Sequence, residues 1–399
     1  MVERNHNQEF ATEASLQKLT VKQRIQIGNR RSLMRRRGFV VPLICFAVLF
    51  SLMFFLGSVE SKSASAVKSP DSSPNDGLQL TFIGDVMLGR YIGQVGEKYG
   101  YDRFFDGVSG IWRNSDHVFA NLENPVRTGD TSEYQKRLDG IPLIASEKAV
   151  LSMQAAGIDV IGFANDHCFD YGKTAYDNSR KFFDSIGLTY AGIIPDKDEP
   201  ELPPYTVIAT EDGVKIGFIA ITSVYSNETA HGGVLTTNHF MFYSYITASA
   251  QANDLTVVYL HSGSEYTAQL SDKQQEVAHS IIDAGADMVI GSHPHNVQPI
   301  ELYGNGIIFY SLGNFIMDQS NTFTKDGIIV QYNESSDGQR FFETIPIRIE
   351  SGCPHVTTNG FYTRRINRIL TKLLDSEHYT ETVDGRIIIK LPPKTIQPG

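Results

Sequence analysis

The order of apolar and polar segments predicts an α/β domain. Short apolar runs rich in β-branched residues stop repeatedly at a cluster of polar residues. Segments with helical spacing lie between these runs, and they end at glycine. Runs that are apolar throughout suit strands covered on both faces, and their alternation with helices is the pattern of an α/β sheet.

Three segments precede that domain. Residues 1–37 form a basic tail. Up to residue 39 there are nine Lys/Arg against Glu3, Glu9 and Glu13, which leaves 26 positive and 42 negative residues in the remainder. The net charge of -10 therefore joins a +6 tail to a -16 body, and the acidic body argues against a general nucleic-acid binder. Residues 38–59, from Gly38 to Val59, carry no charge. Their length matches the roughly 20 apolar residues of a transmembrane helix. Arg30, Arg31, Arg35, Arg36 and Arg37 stand directly before this run, so the positive-inside rule keeps the tail cytoplasmic and sends the main domain outside the cell. A cleaved signal peptide is the rival reading, with Ser63-Ala64-Ser65-Ala66 offering small residues to a peptidase. Its apolar core would be shorter, roughly 7–15 residues, and nearer the N-terminus, so a single-pass signal-anchor in the cell membrane is the expectation. Residues 60–77 are rich in Ser and Pro and read as a flexible linker.

The body begins near Leu78. Leu78 to Ile83 leads to Gly84-Asp85, His117 to Ala120 to Asn121-Leu122-Glu123, and Ile158 to Ala164 to Asn165-Asp166-His167. Leu255 to Leu260 leads to His261, Ala286 to Ile290 to Gly291-Ser292-His293-Pro294-His295, and Ile307 to Leu312 to Gly313-Asn314. Helices are expected over Ser146 to Ala156, with Ser146 as N-cap and Gly157 as stop, over Lys173 to Ile186 before Gly187, and over Ser271 to Ala284 before Gly285. Beyond Gly352, Thr363 to Leu374 reads as a helix with one packed face, and Asp384-Gly385 as a turn into the strand Arg386 to Ile389. Residues 336–399 are expected to pack on the main domain, residues 78–335.

Ligands of α/β sheets bind beyond the carboxyl ends of the strands, so these polar clusters can converge although scattered along the chain. Pooled, Asp85, Glu123, Asn165, Asp166, His167, His261, His293 and His295 offer oxygen and imidazole donors without a thiolate. Such a set suits divalent Mn, Zn or Fe, and two ions sharing a carboxylate would need about this many ligands. In His293-Pro294-His295, an extended loop would point both imidazoles the same way, with Pro294 stiffening the spacing. Any one of these residues has an ordinary reading: Asp85 as a cap, Glu123 as an ion-pair partner, His261 as a packed core histidine. Coordination is the better account of the set, because each member falls at a strand end.

Other chemistries find less support. The chain has no phosphate-cradling G-x-x-x-x-G-K-[ST] loop and no H-E-x-x-H helix. Ser264 stands outside a G-x-S-x-G elbow. Cys168 beside His167 would point away from it in an extended loop. With Cys45 in the apolar run, Cys168 and Cys353 are the two cysteines of the body, and a disulfide between them is not the expectation.

Gly84-Asp85-Val86-Met87-Leu88-Gly89-Arg90, Asn121-Leu122-Glu123-Asn124-Pro125-Val126 and Ala164-Asn165-Asp166-His167-Cys168-Phe169-Asp170-Tyr171-Gly172 resemble the CapA family. His261-Ser262-Gly263-Ser264-Glu265-Tyr266, Gly291-Ser292-His293-Pro294-His295 and Tyr310-Ser311-Leu312-Gly313-Asn314-Phe315 extend the resemblance in order. The resemblance covers roughly residues 78–335. It implies poly-γ-glutamate capsule biosynthesis, as in the CapA and PgsA proteins. It also implies an α/β sandwich like that of calcineurin-like metallophosphoesterases, with a two-metal site. By position, Asp85 would hold the first metal, Glu123 would bridge, and His261, His293 and His295 would complete the shells. Asp166 stands where the family has Asn, which keeps an oxygen donor and adds a charge. His167 is the candidate general acid. Asn121, Asn165, Arg90, Glu265 and Asn314 fall in the same motifs as supporting or substrate-facing residues. Ser262 replaces the family's aromatic, and Met87 stands where ordinary phosphoesterases have His.

Two functions follow as expectations. One is a membrane-anchored component of poly-γ-glutamate synthesis or export, working with other membrane subunits of a synthase complex that supply the ligase chemistry. The other is an extracytoplasmic metallohydrolase acting on a phosphoester or γ-glutamyl amide bond. An anionic polymer meeting an anionic body would need metal ions, or Arg90, Arg103 and Arg127, to relieve the repulsion.

Overall fold

The computed structural model describes residues 77–138, 140–194, 205–224, 233–239 and 241–391. The basic tail, the Gly38–Val59 run with Cys45, and the linker up to residue 76 lie outside the described residues. Among the described residues no helix is long and apolar enough to cross a membrane.

The chain enters through β1 (Gly77–Val86), then α1 (Arg90–Tyr99), β2 (His117–Leu122) and the short pair β3 (Val126–Arg127) and β4 (Ala145–Ser146). Next come α2 (Glu147–Ala155), β5 (Val160–Gly162), α3 (Gly172–Ile186) and β6 (Thr189–Ala191). Strands β1, β2, β5 and β6 lie side by side and parallel. A second sheet follows from β7 (Thr206–Ala209), β8 (Lys215–Thr222), α4 (Phe242–Ala252), β9 (Leu255–His261), α5 (Asp272–Asp283), β10 (Met288–Ser292), β11 (Ile300–Tyr303) and β12 (Gly306–Phe309). Its order is β11-β12-β10-β9-β8-β7, with the central four parallel and the edges antiparallel.

The chain then returns to the first sheet. β13 (Asn314–Ile316) pairs with the end of β1, and β14 (Asp326–Ser335) runs antiparallel along it. β15 (Arg340–Glu350), β16 (Cys353–Val356), α6 (Gly360–Leu370), β17 (Tyr379–Glu381) and β18 (Ile387–Leu391) follow. The segment after Ser335 is thus hydrogen-bonded into the main sheet, through β15 on β14 and β18 on β15.

Strand periodicity explains how the two sheets pack. Phe218 and Ala220 of β8, Val257 and Tyr259 of β9, and Met288 and Ile290 of β10 join the core shared with the first sheet. Their neighbours Ile219, Ile221, Val258, Leu260 and Val289 turn the other way, into a second core under α4 and α5. Successive side chains leave opposite faces of a strand, so a run buried on both sides must be apolar throughout. Phe119 packs on Phe218 at 5.1 Å and Phe82 on Tyr259 at 6.4 Å. The Tyr259 hydroxyl donates across the gap to the carbonyls of Ile83 (3.1 Å) and Phe119 (2.9 Å). On the far face of the first sheet, Phe163 meets Tyr176 and Phe183 of α3. The architecture is a mixed α/β sandwich with helices outside both sheets.

Two local expectations change. Strands run through the polar residues rather than stopping before them, since Asp85, Asn121, His261 and Ser292 are all within strands. Their side chains therefore inherit the fixed geometry of a ladder. Ser146 occupies the N-cap position of α2 without a capping bond; its hydroxyl lies 3.1 Å from that of Tyr101 instead. Ser271 does cap α5, accepting from Gln274 N–H.

Gly84 lets β1 and β13 approach. A Cβ there would stand 1.9 Å from the Gly313 carbonyl oxygen, and Gly313 itself holds φ at +72°. Backbone cannot retreat like a flexible side chain, so Gly84→Ala should destabilise the protein by about 1–3 kcal/mol or more. A thermal melt of the purified chain checks this. An unchanged melting temperature would mean that the two strands separate freely.

Candidate metal centre

Three adjacent strands place the first donors. Asp85 pairs in register with Asn121 of β2 on one side and Asn314 of β13 on the other. The Asn121 amide donates to Asp85 Oδ1 (2.9 Å) and to Glu123 Oε1 (3.2 Å), clamping two buried carboxylates. From the second sheet, β9 and β10 deliver His261 and the loop bearing His293 and His295. The six residues read as ligands form two groups. Asp166, His261 and His293 make one, and Asp85, Glu123 and His295 the other, with one donor atom from each residue of a group within 4.8 Å of the others.

The contacts between them are specific. His261 Nε2 lies 3.0 Å from Asp166 Oδ1, and its Nδ1 is 3.0 Å from Ser292 Oγ. His295 Nδ1 lies 2.8 Å from Asn314 Oδ1 and 3.2 Å from Asp85 Oδ2. Asn165 is buried and structural: its amide donates to the Leu122 carbonyl at 2.8 Å, while its Oδ1 accepts from His167 N–H at 3.1 Å. Asn314 is likewise a support, tied through its amide to Thr324 O and Gln319 Oε1.

The His-Pro-His loop is not extended. His293 has φ +95° and His295 φ +55°, and their rings, 6.2 Å apart, serve different groups. A left-handed backbone turns successive side chains in directions that an extended one cannot. Arg90 (φ +48°) and Tyr266 (φ +61°) share this unusual conformation. Four such residues at the same strand ends are the kind of local strain that persists where a site requires it.

Electrostatics fits a cation. Burial pushes the Glu123 carboxyl well above its ordinary range, and the charges of Asp85 and Asp166 push the same way. Burial opposes ionisation of Asp85 and Asp166 too, but hydrogen bonds and charges from His295, His261, His167 and His293 outweigh it and hold both below the usual carboxylate range. Burial, with the neighbouring His261, lowers His293 to about 3, which keeps it neutral as a ligand must be. Glu123 Oε2 is buried without a hydrogen-bond partner. A buried orphan acceptor among two further carboxylates and three imidazoles is what a divalent ion would satisfy. The residues present therefore fit a divalent-metal site.

His167 stands at the mouth, half-buried, with Nε2 3.8 Å from Asp166 Oδ2. Its Nδ1 lies 2.7 Å from Asp170 Oδ2, and this partner raises its pKa against the effect of burial. Arg137 fixes Asp170 by an ion pair at 3.0 Å and donates to the Asp166 carbonyl at 3.0 Å. Asp170, Arg137 and Ser292 are functional supports that motif reasoning did not assign. Asp170, three residues after His167, carried a local signal; Arg137 carried none. Glu265 is exposed at the rim, where its charge reaches Glu123 without a contact among the ligands. Cys168 is a free, buried thiol donating to Asn165 O, its pKa raised by burial, and Cys353 is also free. No disulfide joins Cys168 to Cys353.

Comparison with known proteins agrees with the motifs. The family model described as bacterial capsule synthesis protein PGA_cap matches residues 79–319. The chain is 31% identical over 391 residues to the capsule biosynthesis protein CapA of Bacillus anthracis, covering 95% of this chain and 92% of that one. It is 32% identical over 359 residues to the PGA biosynthesis protein CapA of Bacillus subtilis, covering 88% and 90%. A Staphylococcus aureus protein solved in complex with alpha-ketoglutarate matches at TM-score 0.41 and 12% identity, over 73% of this chain and 58% of that one, too remote a likeness to speak for function.

Ionising Glu123 costs stability as pH rises above the ordinary carboxylate range, because the folded protein holds the proton that the unfolded chain releases. Glu123→Gln should therefore raise the melting temperature of metal-free protein at pH 7 while weakening Mn(II) or Zn(II) binding by about tenfold or more. Metal uptake by the native chain should strengthen with pH, since it displaces this proton. Calorimetric titration and a melt measure both. A variant that binds metal like the native protein and melts lower would refute the like-charge account.

Proposed function

This chain belongs to the bacterial capsule synthesis protein family PGA_cap, and from that premise we propose that it is a membrane-anchored, extracytoplasmic component of poly-γ-glutamate biosynthesis or export. The observation that carries the metal-dependent part of this reading is the meeting of two donor groups around an orphaned Glu123 oxygen. We assign two divalent ions, Mn, Zn or Fe, to Asp85, Glu123 and His295 on one side and Asp166, His261 and His293 on the other. The Gly38–Val59 run supplies the anchor in this reading, and other membrane subunits of a synthase complex supply the ligase chemistry, for which this chain has no nucleotide loop.

A second, compatible reading is metallophosphoesterase-like hydrolysis of a γ-glutamyl amide or a phosphoester, favoured by the His167 arrangement. The bound ions would supply Lewis-acid polarisation of a substrate oxygen. Asp170 accepts from Nδ1 of His167, which leaves Nε2 to carry a proton toward a leaving group beside Asp166. Arg137 holds Asp170 in place through an ion pair at 3.0 Å. Ser292 and Asn314 hold the rings of His261 and His295 against rotation.

The direct test is complementation of a strain lacking this chain, scored by surface poly-γ-glutamate. The native form should restore polymer and His293→Ala should not; restoration by both would separate the polymer role from the metal site. For hydrolysis, His167→Ala should lower turnover of γ-glutamyl or phosphodiester substrates by about 10²–10⁴-fold. Equal turnover by native, His167→Ala and Asp85→Asn forms would leave only the polymer-handling role.

A further inference from the structure

The donor set is anionic, so a polyanionic substrate needs a cationic group with N–H donors left to offer it. Arg137 is mostly covered, paired with Asp170 and bonded to the Asp166 carbonyl. Arg90 differs. It opens α1 five residues after Asp85, in a left-handed conformation, with its side chain about a third exposed (31%). Asp318 grips one edge of the guanidinium, through Nε at 3.1 Å and through Nη2, while also accepting from Tyr91 N–H. Nη1 has no protein partner among the described residues.

Asp318 is itself fixed to the site. It follows β13, whose Ile316 carbonyl accepts from Met87 N–H at 2.9 Å. The next residue, Gln319, accepts from the Asn314 amide at 3.1 Å, and Asn314 holds His295. Arg90 is therefore tethered to the Asp85–Glu123–His295 side. Tyr266 stands on the same rim, its ring 5.9 Å from His295 and its N–H bonded to the Pro294 carbonyl.

We propose that Arg90, aimed by Asp318, is the specificity-determining residue that binds a substrate carboxylate beside the metal centre, namely the free α-carboxylate of a γ-linked glutamyl unit. A guanidinium gripped along one edge presents its other N–H groups in a fixed direction, and that planar fork matches an oxyanion better than a mobile ammonium does. The anchoring also removes rotamer freedom before binding, so little is lost when the ligand arrives. Phosphate shares this chemistry and is the competing source. The inference rests on the proposed poly-γ-glutamate role.

The test uses the full chain loaded with Mn(II), with a γ-linked glutamate trimer, its α-carboxamide form and inorganic phosphate as probes. The native protein should bind the trimer about tenfold or more tighter than the amide. Arg90→Met should erase that preference while metal content and melting temperature hold, and Arg90→Lys and Asp318→Asn should reduce it. A native-like preference in Arg90→Met overturns the proposal. If that variant fails to fold, native-like preference in both Arg90→Lys and Asp318→Asn does so instead. Arg90-dependent binding of phosphate without binding of the trimer overturns the carboxylate assignment. Binding of neither probe by the native protein sinks the polymer reading on which the inference stands.

Discussion

Three carboxylates and three imidazoles share one buried volume where two sheets meet, and that crowding sets the terms for everything near it. Histidines hold the Asp85 and Asp166 carboxyls below the usual range, whereas burial and these two like charges push Glu123, with one oxygen orphaned, well above it. Without a cation the Asn121 amide is the main mediator between Asp85 and Glu123. Such an arrangement weakens a folded protein unless positive charge enters it. Its persistence argues for chemistry rather than for stability.

The rest of the fold can be understood as support for that concentration of charge. Parallel strands bring their carboxyl ends to one side, and β13 returns from the second sheet to lie beside β1, which sets Asn314 next to Asp85. The Tyr259 hydroxyl ties the sheets together at the carbonyls of Ile83 and Phe119, two residues before Asp85 and Asn121. Left-handed backbone at His293 and His295 then splits the imidazoles between the two groups. Cores on both faces of the second sheet hold β9 and β10 in register, so His261 and Ser292 meet with little freedom.

The two functional readings share one site and differ in what leaves it. In the proposed readings, polymer handling uses the metal site and a cationic rim, and hydrolysis adds a proton held at His167. The Asp170–Arg137 support makes sense for the second requirement, since a merely packed histidine has no need of a buried carboxylate and guanidinium behind it. Arg90 addresses the first. Arg137 is committed to Asp170 and the Asp166 carbonyl, whereas Arg90 is about a third exposed.

The α/β class and the approximate course of the strands were legible in the sequence because each is a local pattern, and the six candidate ligands could be named from the motifs that follow them. A strand covered on both faces must be apolar along most of its length, so the buried polar residues Asp85, Asn121 and His261 stand out at its carboxyl end. The expectation of an extended His293-Pro294-His295 loop failed because backbone handedness is set by the packing around it rather than by spacing. The supports Arg137 and Asp318 gave no signal at all: each stands far along the chain from the residue it serves, so only the closed sheets bring them into contact. By itself, the sequence determined which donors end the strands and that a charge-free run precedes a strongly acidic body. The tertiary structure alone decided how those donors divide into two groups, which carboxyl is pushed above its ordinary range and which arginine is left partly exposed, because burial and charge pairing depend on distances through space and not along the chain.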